Sequence, residues 1–262
     1  MVTYAWCDSR LDQHSLDAVA TVKKVRKLDS ICYVLAVKLH REVGLNVEDA
    51  YELILTAVAL HDIGKAFTNY QKTVEGHGNE CRANFRYHEV VGASLLAESL
   101  IRTQLNDAAK YLITLAVLNH HYALRDLRLF TLSNFKQEVI RSAGSLVHGV
   151  VDDIRTIKSC MSLSSPTASD IFDSLLKVCE DGLDLERSLS YLIAGINKRQ
   201  GGYEFLRRGG AKTLDYLVSA TTGLINISDY LSGYCRRPGR RSIFAEKVLE
   251  ELRTSCDALL SL

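Results

Sequence analysis

The apolar stretch "ALHDIGKAF" (59–67) ends in an imidazole and a carboxylate side by side, His61 and Asp62, and then continues Ile63, Gly64, Lys65. Ionisable groups at the end of a buried helix must be paired or must hold a metal ion. Four other histidines stand in arranged contexts: His14 at a helix start ("DQHSLDAVA"), His88 in "FRYHEVVGASLL", and the pair His120 and His121 closing "AAKYLITLAVLNHHY". The chemistry such a set supports is metal binding, because neutral imidazole is the commonest nitrogen ligand. A carboxylate has two oxygens and can bridge two ions where a histidine cannot, so Asp62 is the natural bridge. Far downstream, Asp229 in "GLINISDYLSG" lies among apolar residues with no cation three or four positions away. It reads either as a further ligand or as a hydrogen-bonded core aspartate. His40, His77 and His148 read as structural or solvated.

The elements that must carry these residues are helices. Only two prolines occur, Pro166 and Pro238, and apolar residues recur mostly at helical spacing, which predicts an all-α fold, an orthogonal helical bundle. In "LNVEDAYELILTAVALHD", Asn46 is placed to cap, with Asp49 three residues on, and the helix delivers His61 and Asp62 at its C-terminal end. Further helices are expected over about 15–43, 88–101, 107–121, 134–158, 169–180, 185–198, 211–232 and 242–260. The segment "MSLSSPTASD" (161–170) reads as a loop, and "GGYEFLRRGG" (201–210) as a small hairpin insertion. No linker divides the 262 residues, so one domain is expected, with a core over about 14–232 and a C-terminal helix at 242–260.

Composition sets outer bounds. Lys plus Arg (32) and Asp plus Glu (31) nearly cancel, so any footprint for nucleic acid must be local. Two local basic clusters exist: "KRQGGYEFLRRGGAK", with Arg207 and Arg208 near the aromatic Tyr203 and Phe205, and "RRPGRR", with Arg236, Arg237, Arg240 and Arg241. Both are candidate nucleic-acid contacts, or else solvated turns. The seven cysteines are scattered, odd in number and never in a CxxC pair, which argues against a disulfide framework and a structural zinc site and fits a reducing cytoplasm. No basic leader followed by an apolar core opens the chain, and no apolar run approaches the length of a membrane span, so a soluble, unprocessed protein is expected.

The order His14, His61-Asp62, His88, His120-His121, Asp229 resembles the HD phosphohydrolase superfamily, whose metal site reads H…HD…H…HH…D on a helical core. "HDIGKAFTNYQ", with Tyr70-Gln71 after the HD-x-G-K, is similar to the nuclease branch found as the HD subunit of CRISPR type I interference, and "FRYHEVVGASLLA" and "LNHHYAL" are similar to its next motifs. Cyclic-dinucleotide phosphodiesterases of the superfamily carry an HHE and a GYP that "HHYALRD" lacks, and triphosphohydrolases often keep only H…HD…D.

The resemblance implies a DNA or RNA nuclease acting in antiviral interference by a two-metal hydroxide mechanism. One divalent ion is held by His14, His61, Asp62 and Asp229, the other by Asp62, His88, His120 and His121. The ions are Mg, Mn or another transition metal. Lys65, three residues past Asp62, reads from its spacing either as a cation for the scissile phosphate or as a solvated surface lysine. No Walker A pattern occurs, which on this resemblance implies a separate helicase subunit and an RNA-guided surveillance complex as partners. The alternative functions are hydrolysis of small or cyclic nucleotides, and a catalytically silent scaffold.

Overall fold

The computed structural model of the chain describes residues 2–75, 82–121, 134–208, 212–237 and 242–260. A short ribbon, β1 (Tyr4–Trp6) and β2 (Ser9–Arg10), leads into α1 (Leu11–Lys24), α2 (Arg26–Val43) and α3 (Val47–Leu60). A 3-10 turn, Ile63–Lys65, and α4 (Thr68–Gln71) follow, then α5 (His88–Leu100), α6 (Asp107–Asn119), α7 (Phe135–Ala143), α8 (Val150–Met161) and α9 (Pro166–Asp181). The chain continues through α10 (Leu185–Ile196), α11 (Glu204–Arg208), α12 (Lys212–Cys235), α13 (Ile243–Leu252) and α14 (Cys256–Leu260). The fold is all-α, as the spacing of apolar residues predicts. The ribbon is antiparallel, pairing Tyr4 with Arg10 and Trp6 with Ser9.

The interior follows from hydropathy. Every residue of α5 is buried, and a helix without a polar face must be surrounded. Helices α6, α7, α9 and α10 pack around it. In α3, residues 53–60 are all buried, and Asn46 caps the helix as expected, its Oδ1 accepting the Asp49 amide at 2.6 Å. Helix α12 lies along α1, α2 and α6 and closes the bundle. Each fully buried aliphatic side chain contributes about 1.5–3 kcal/mol, so these central helices form a stiff frame for whatever their ends carry.

Three expected helices are broken: 15–43, 134–158, where Gly144 (φ 77°) caps the end of α7, and 242–260, which divides into α13 and α14. The stretch 15–43 divides at Val25, whose backbone is extended (φ −85°, ψ 102°). The redirected α2 buries Leu28, Cys32, Leu35, Ala36 and Leu39. The stretch 134–158 divides because its middle bonds elsewhere: the Val147 amide donates to Ala66 O at 3.0 Å and the Thr68 amide to Ser145 O at 2.7 Å. Tertiary hydrogen bonds there replace helical ones. The expected loop at 161–170 shrinks, since α9 starts at Pro166 with Ser165 as its cap.

The described part of the expected hairpin, residues 201–208, instead carries α11, and Tyr203, Phe205 and Leu206 are buried. The segment lies so close to α10 that a Cβ on Gly202 would stand 2.1 Å from the Gly195 nitrogen. The cysteine reading also needs correction. Cys235, at the end of α12, and Cys256, at the start of α14, form a disulfide, because α14 packs back against α1 and α12. Among the described residues, no helix is long and apolar enough to cross a membrane.

Candidate metal centre

Three of the candidate histidines are held by one local device. His61 and His120 sit at the C-terminal caps of α3 and α6, where carbonyls lack helical partners. Each ring turns back and donates its Nδ1–H to the carbonyl three residues earlier, His61 to Val58 O at 2.7 Å and His120 to Val117 O at 2.5 Å. His88, at the first position of α5, does the same to Phe85 O at 2.7 Å. With Nδ1 as donor, Nε2 carries the lone pair, and that is the tautomer a metal ligand needs.

The approach of α5 is fixed by two unusual backbone positions. Tyr87 takes a left-handed conformation (φ 70°), rare for a bulky residue, and turns the chain so that His88 faces inward. Gly64 packs its backbone directly on α5; a Cβ there would lie 1.9 Å from His88 O and 2.5 Å from the Gly92 nitrogen. This close approach, rather than a helix cap, is why glycine follows the His61-Asp62 pair.

All seven sequence-predicted ligands converge. One ligand atom from each of His14, His61, Asp62 and Asp229 lies within 4.8 Å of the others, and the same holds for Asp62, His88, His120 and His121. Asp62 belongs to both groups. Its Oδ1 faces His88 Nε2 at 3.0 Å and His120 Nε2 at 3.6 Å, and its Oδ2 faces His14 Nε2 at 3.2 Å and His61 Nε2 at 3.6 Å. Asp229 Oδ1 lies 2.9 Å from His14 Nε2, so this distant aspartate is part of the cluster rather than an isolated core residue.

The electrostatics of the cluster call for cations. His88 Nε2 and His120 Nε2 are 3.3 Å apart with their Nδ1–H groups already committed, which sets two lone pairs against each other beside a carboxylate. Among the described residues, His61 Nε2 and Asp62 Oδ1 are buried without a hydrogen bond. Burial alone would raise the pKa of both aspartates. Lys65 and His61 hold Asp62, and His14 and His61 hold Asp229, well below the usual carboxylate range. Burial pushes His88 and His121 down, so both are neutral imidazoles. His14 is the exception: burial would lower it, but Asp229 and Asp62 outweigh that and lift it to about 9. A charge-rich, donor-poor pocket of this kind fits divalent ions.

Above the cluster opens a cleft of about 880 Å³, lined by Trp6, Lys65, Arg86, His88, His121 and Asp229 among others. Lys65 is buried, with Nζ donating to Asp62 Oδ2 at 2.5 Å and lying 5.1 Å from the Phe85 ring centre. Arg237 borders the cleft. Arg236 is committed to the fold, its Nε and Nη2 donating to Asp17 at 2.6 and 2.9 Å. Arg207 is exposed on α11, while Arg240 and Arg241 and the side chain of Arg208 lie outside the described residues. Tyr203 and Phe205, expected as nucleic-acid contacts, are in the core, and the Tyr203 hydroxyl bonds Glu98.

Sequence reading missed the cleft walls. Tyr70 and Gln71 were legible as a motif, but their work was not. The Tyr70 hydroxyl donates to Arg86 O at 2.5 Å, and Gln71 bonds Tyr4 N, Tyr4 O and Lys65 O at 2.8–2.9 Å. They fix the wall bearing Phe85 and Arg86 and the strand bearing Trp6. The lone Trp6 gave no pattern to read.

The chain matches the family model "Cas3, HD domain" over residues 9–195. It is 33% identical over 95 residues to the CRISPR-associated endonuclease Cas3-HD of Saccharolobus solfataricus, a match covering 35% of this chain and 40% of that protein. The crystal structure of T. fusca Cas3 aligns over 96% of this chain and 23% of that chain, with 16% identity and a TM-score of 0.39. The ADP complex of the same protein aligns over 92% and 27%, with 17% identity and the same TM-score. The chain thus spans well under two thirds of the relatives it matches. The family match takes in His14, His61, Asp62, His88, His120 and His121, while Asp229 stands in the cluster by geometry alone. By that match the chain belongs to the Cas3 HD domain family.

Proposed function

We propose that the chain is a metal-dependent nuclease that hydrolyses phosphodiester bonds of nucleic acid, DNA above all, as one folded domain serving CRISPR antiviral interference. The observation that carries this is the convergence of five histidines and two aspartates into two four-ligand groups sharing Asp62, under an open cleft with cationic walls. The S. solfataricus relative, named an endonuclease, supports the same reading.

In this reading His14, His61, Asp62 and Asp229 hold one divalent ion and Asp62, His88, His120 and His121 the other. Such ions supply Lewis acidity toward the phosphate and activate water at neutral pH. The protein's own residues do the rest. The carbonyls of Val58, Phe85 and Val117 orient three imidazoles before any ion arrives, which limits reorganisation during turnover. Lys65, at the floor of the cleft, supplies a cation beside the scissile phosphate. Arg86 and Arg237 draw the strand's phosphates along the cleft. A separate helicase would unwind the duplex, and an RNA-guided complex would select it.

The test is to load the protein with Mn²⁺ and offer single-stranded DNA, duplex DNA, RNA and a panel of linear and cyclic nucleotides. Cleavage of polynucleotide is expected, with DNA preferred. Hydrolysis confined to small or cyclic nucleotides would overturn the reading, and metal uptake without any hydrolysis would leave a binding scaffold.

A further inference from the structure

The chain contains one tryptophan, and it stands at the mouth of the metal centre. Trp6 is only partly buried and lines both the large cleft and a smaller cavity that reaches His14 and Asp229. The Arg237 guanidinium lies over its ring, 4.4 Å from the ring centre. The Phe85 ring is 6.2 Å from it, tilted by 48°, and Phe85 in turn is 6.4 Å from the His88 ring. A run of π surface thus leads from the cleft rim to a ligand of the cluster.

Separate devices fix the two partners. The strand bearing Trp6 is clamped by Gln71, which bonds both main-chain groups of Tyr4 and, in the same side chain, the Lys65 carbonyl. The placement of Trp6 is thereby tied to the turn carrying Lys65. Arg237 is held by its neighbour, because Arg236 is anchored to buried Asp17 on α1, one turn past His14. A large aromatic ring left half open at such a rim gives up part of the burial energy that a core position would supply.

Resting on the nuclease reading above, we propose that Trp6, paired with Arg237, is the stacking seat for an unpaired nucleobase of the substrate strand, and positions the neighbouring phosphate over the metal centre. Every base has a π face and an indole accepts it without regard to identity, so the seat selects single-stranded polynucleotide over small diesters, not one sequence over another. Trp6 is a positioning residue, since it touches a base and not the reacting phosphate.

Because Trp6 is the sole tryptophan, its fluorescence reports the seat directly. The probes are an uncleavable phosphorothioate oligothymidylate and the same backbone with abasic sugars throughout, each titrated into the Mg²⁺-loaded protein while fluorescence anisotropy of a strand label measures binding. Saturable quenching by the thymidylate, with little from the abasic strand at equal occupancy, is expected. In parallel, Trp6→Ala should lower the ratio of kcat/KM on oligothymidylate to kcat/KM on methyl p-nitrophenyl phosphate about tenfold or more, through KM, and Trp6→Phe should restore most of it. Equal quenching by both strands, or binding without quenching, would overturn the seat and leave the nuclease standing. A fall in kcat on both substrates alike would do the same, assigning Trp6 to the fold. Absence of both binding and cleavage of any polynucleotide would overturn the two proposals together.

Discussion

Two buried carboxylates on neighbouring elements meet opposite fates. Glu98, inside α5, has every need met by protein donors: Oε1 accepts from Arg187 Nη2 at 3.0 Å, and Oε2 accepts from the Tyr203 and Ser188 hydroxyls at 2.8 and 3.1 Å. Asp62, two residues past α3, is ringed mostly by lone pairs. Of the four imidazole Nε2 atoms within 3.6 Å of its oxygens, those of His61, His88 and His120 present lone pairs, and its donors among the described residues are Lys65 and the charged His14. Burial is similar, 5% and 0% exposed, so burial alone does not distinguish them. What differs is the sign of the neighbours. A carboxylate among donors is a structural part; a carboxylate among acceptors is a site built for a cation.

The largest effect expected from this contrast is at Asp62. Asp62→Ala removes the oxygen donors common to both groups, so hydrolysis should fall below detection and elemental analysis should find neither ion at stoichiometric level. The fold should survive with a loss of a few kcal/mol, read by circular dichroism. Full activity in that variant would erase the contrast. Asp229→Ala should likewise abolish activity, and a normal rate there would return Asp229 to the core.

Glu98 should behave in the opposite manner. Glu98→Ala leaves Tyr203, Ser188 and Arg187 without their shared acceptor, and chemical denaturation should show roughly 3 kcal/mol lost, while the surviving folded fraction binds metal normally. Metal loss without destabilisation would mean that the two carboxylates are not different in kind.

The same contrast explains what was legible in the sequence. The His61-Asp62 pair and the spaced histidines could be read because their residue types are costly wherever they sit, and Asp229 because no local cation offset it. Helix starts could be read where a side chain caps them, as at Asn46. The break at Val25 could not, since valine carries no stop signal; the end of α7 has one in Gly144, but the extent of the gap before α8 is set by hydrogen bonds to residues 66–68, far away in sequence. The cleft wall was hidden for the same reason, since Trp6 and Arg237 meet across most of the chain. Tyr203 was misread because an aromatic among basic residues has the composition of a nucleic-acid contact, and only the position of Glu98 makes it a donor to the core.

A smaller effect should follow metal itself. If lone pairs crowd Asp62 for want of cations, Mn²⁺ should raise the melting temperature of the wild-type protein and a chelator should lower it. One site at a hundredfold excess over its dissociation constant adds about 2.7 kcal/mol. Asp62→Ala should show little of that shift, and Glu98→Gln should show all of it. An equal response in both variants would detach metal binding from Asp62.

The smallest effect concerns a third solution to the same problem. Asp153, on α8, is buried, with one carboxylate oxygen lacking a hydrogen-bond partner among the described residues. It has neither the donors of Glu98 nor a place among ligands; instead burial, with Asp12 close by, pushes its pKa up to about 6. It meets burial by holding its proton up to about pH 6, and above that it carries an uncompensated charge. The sign follows: below about pH 4 the group is protonated folded and unfolded, and it costs nothing. Between about pH 4 and 6 the unfolded chain gives up the proton first, so stability falls as pH rises, and above 6 the full cost of a buried charge is present. Asp153→Asn removes that charge at similar shape and should stabilise the protein by about 1–2 kcal/mol at pH 7, with the gain fading toward pH 4. Urea denaturation of both proteins at the two pH values measures it. A gain of the same size at both would show that packing, not the proton, is what the substitution changes.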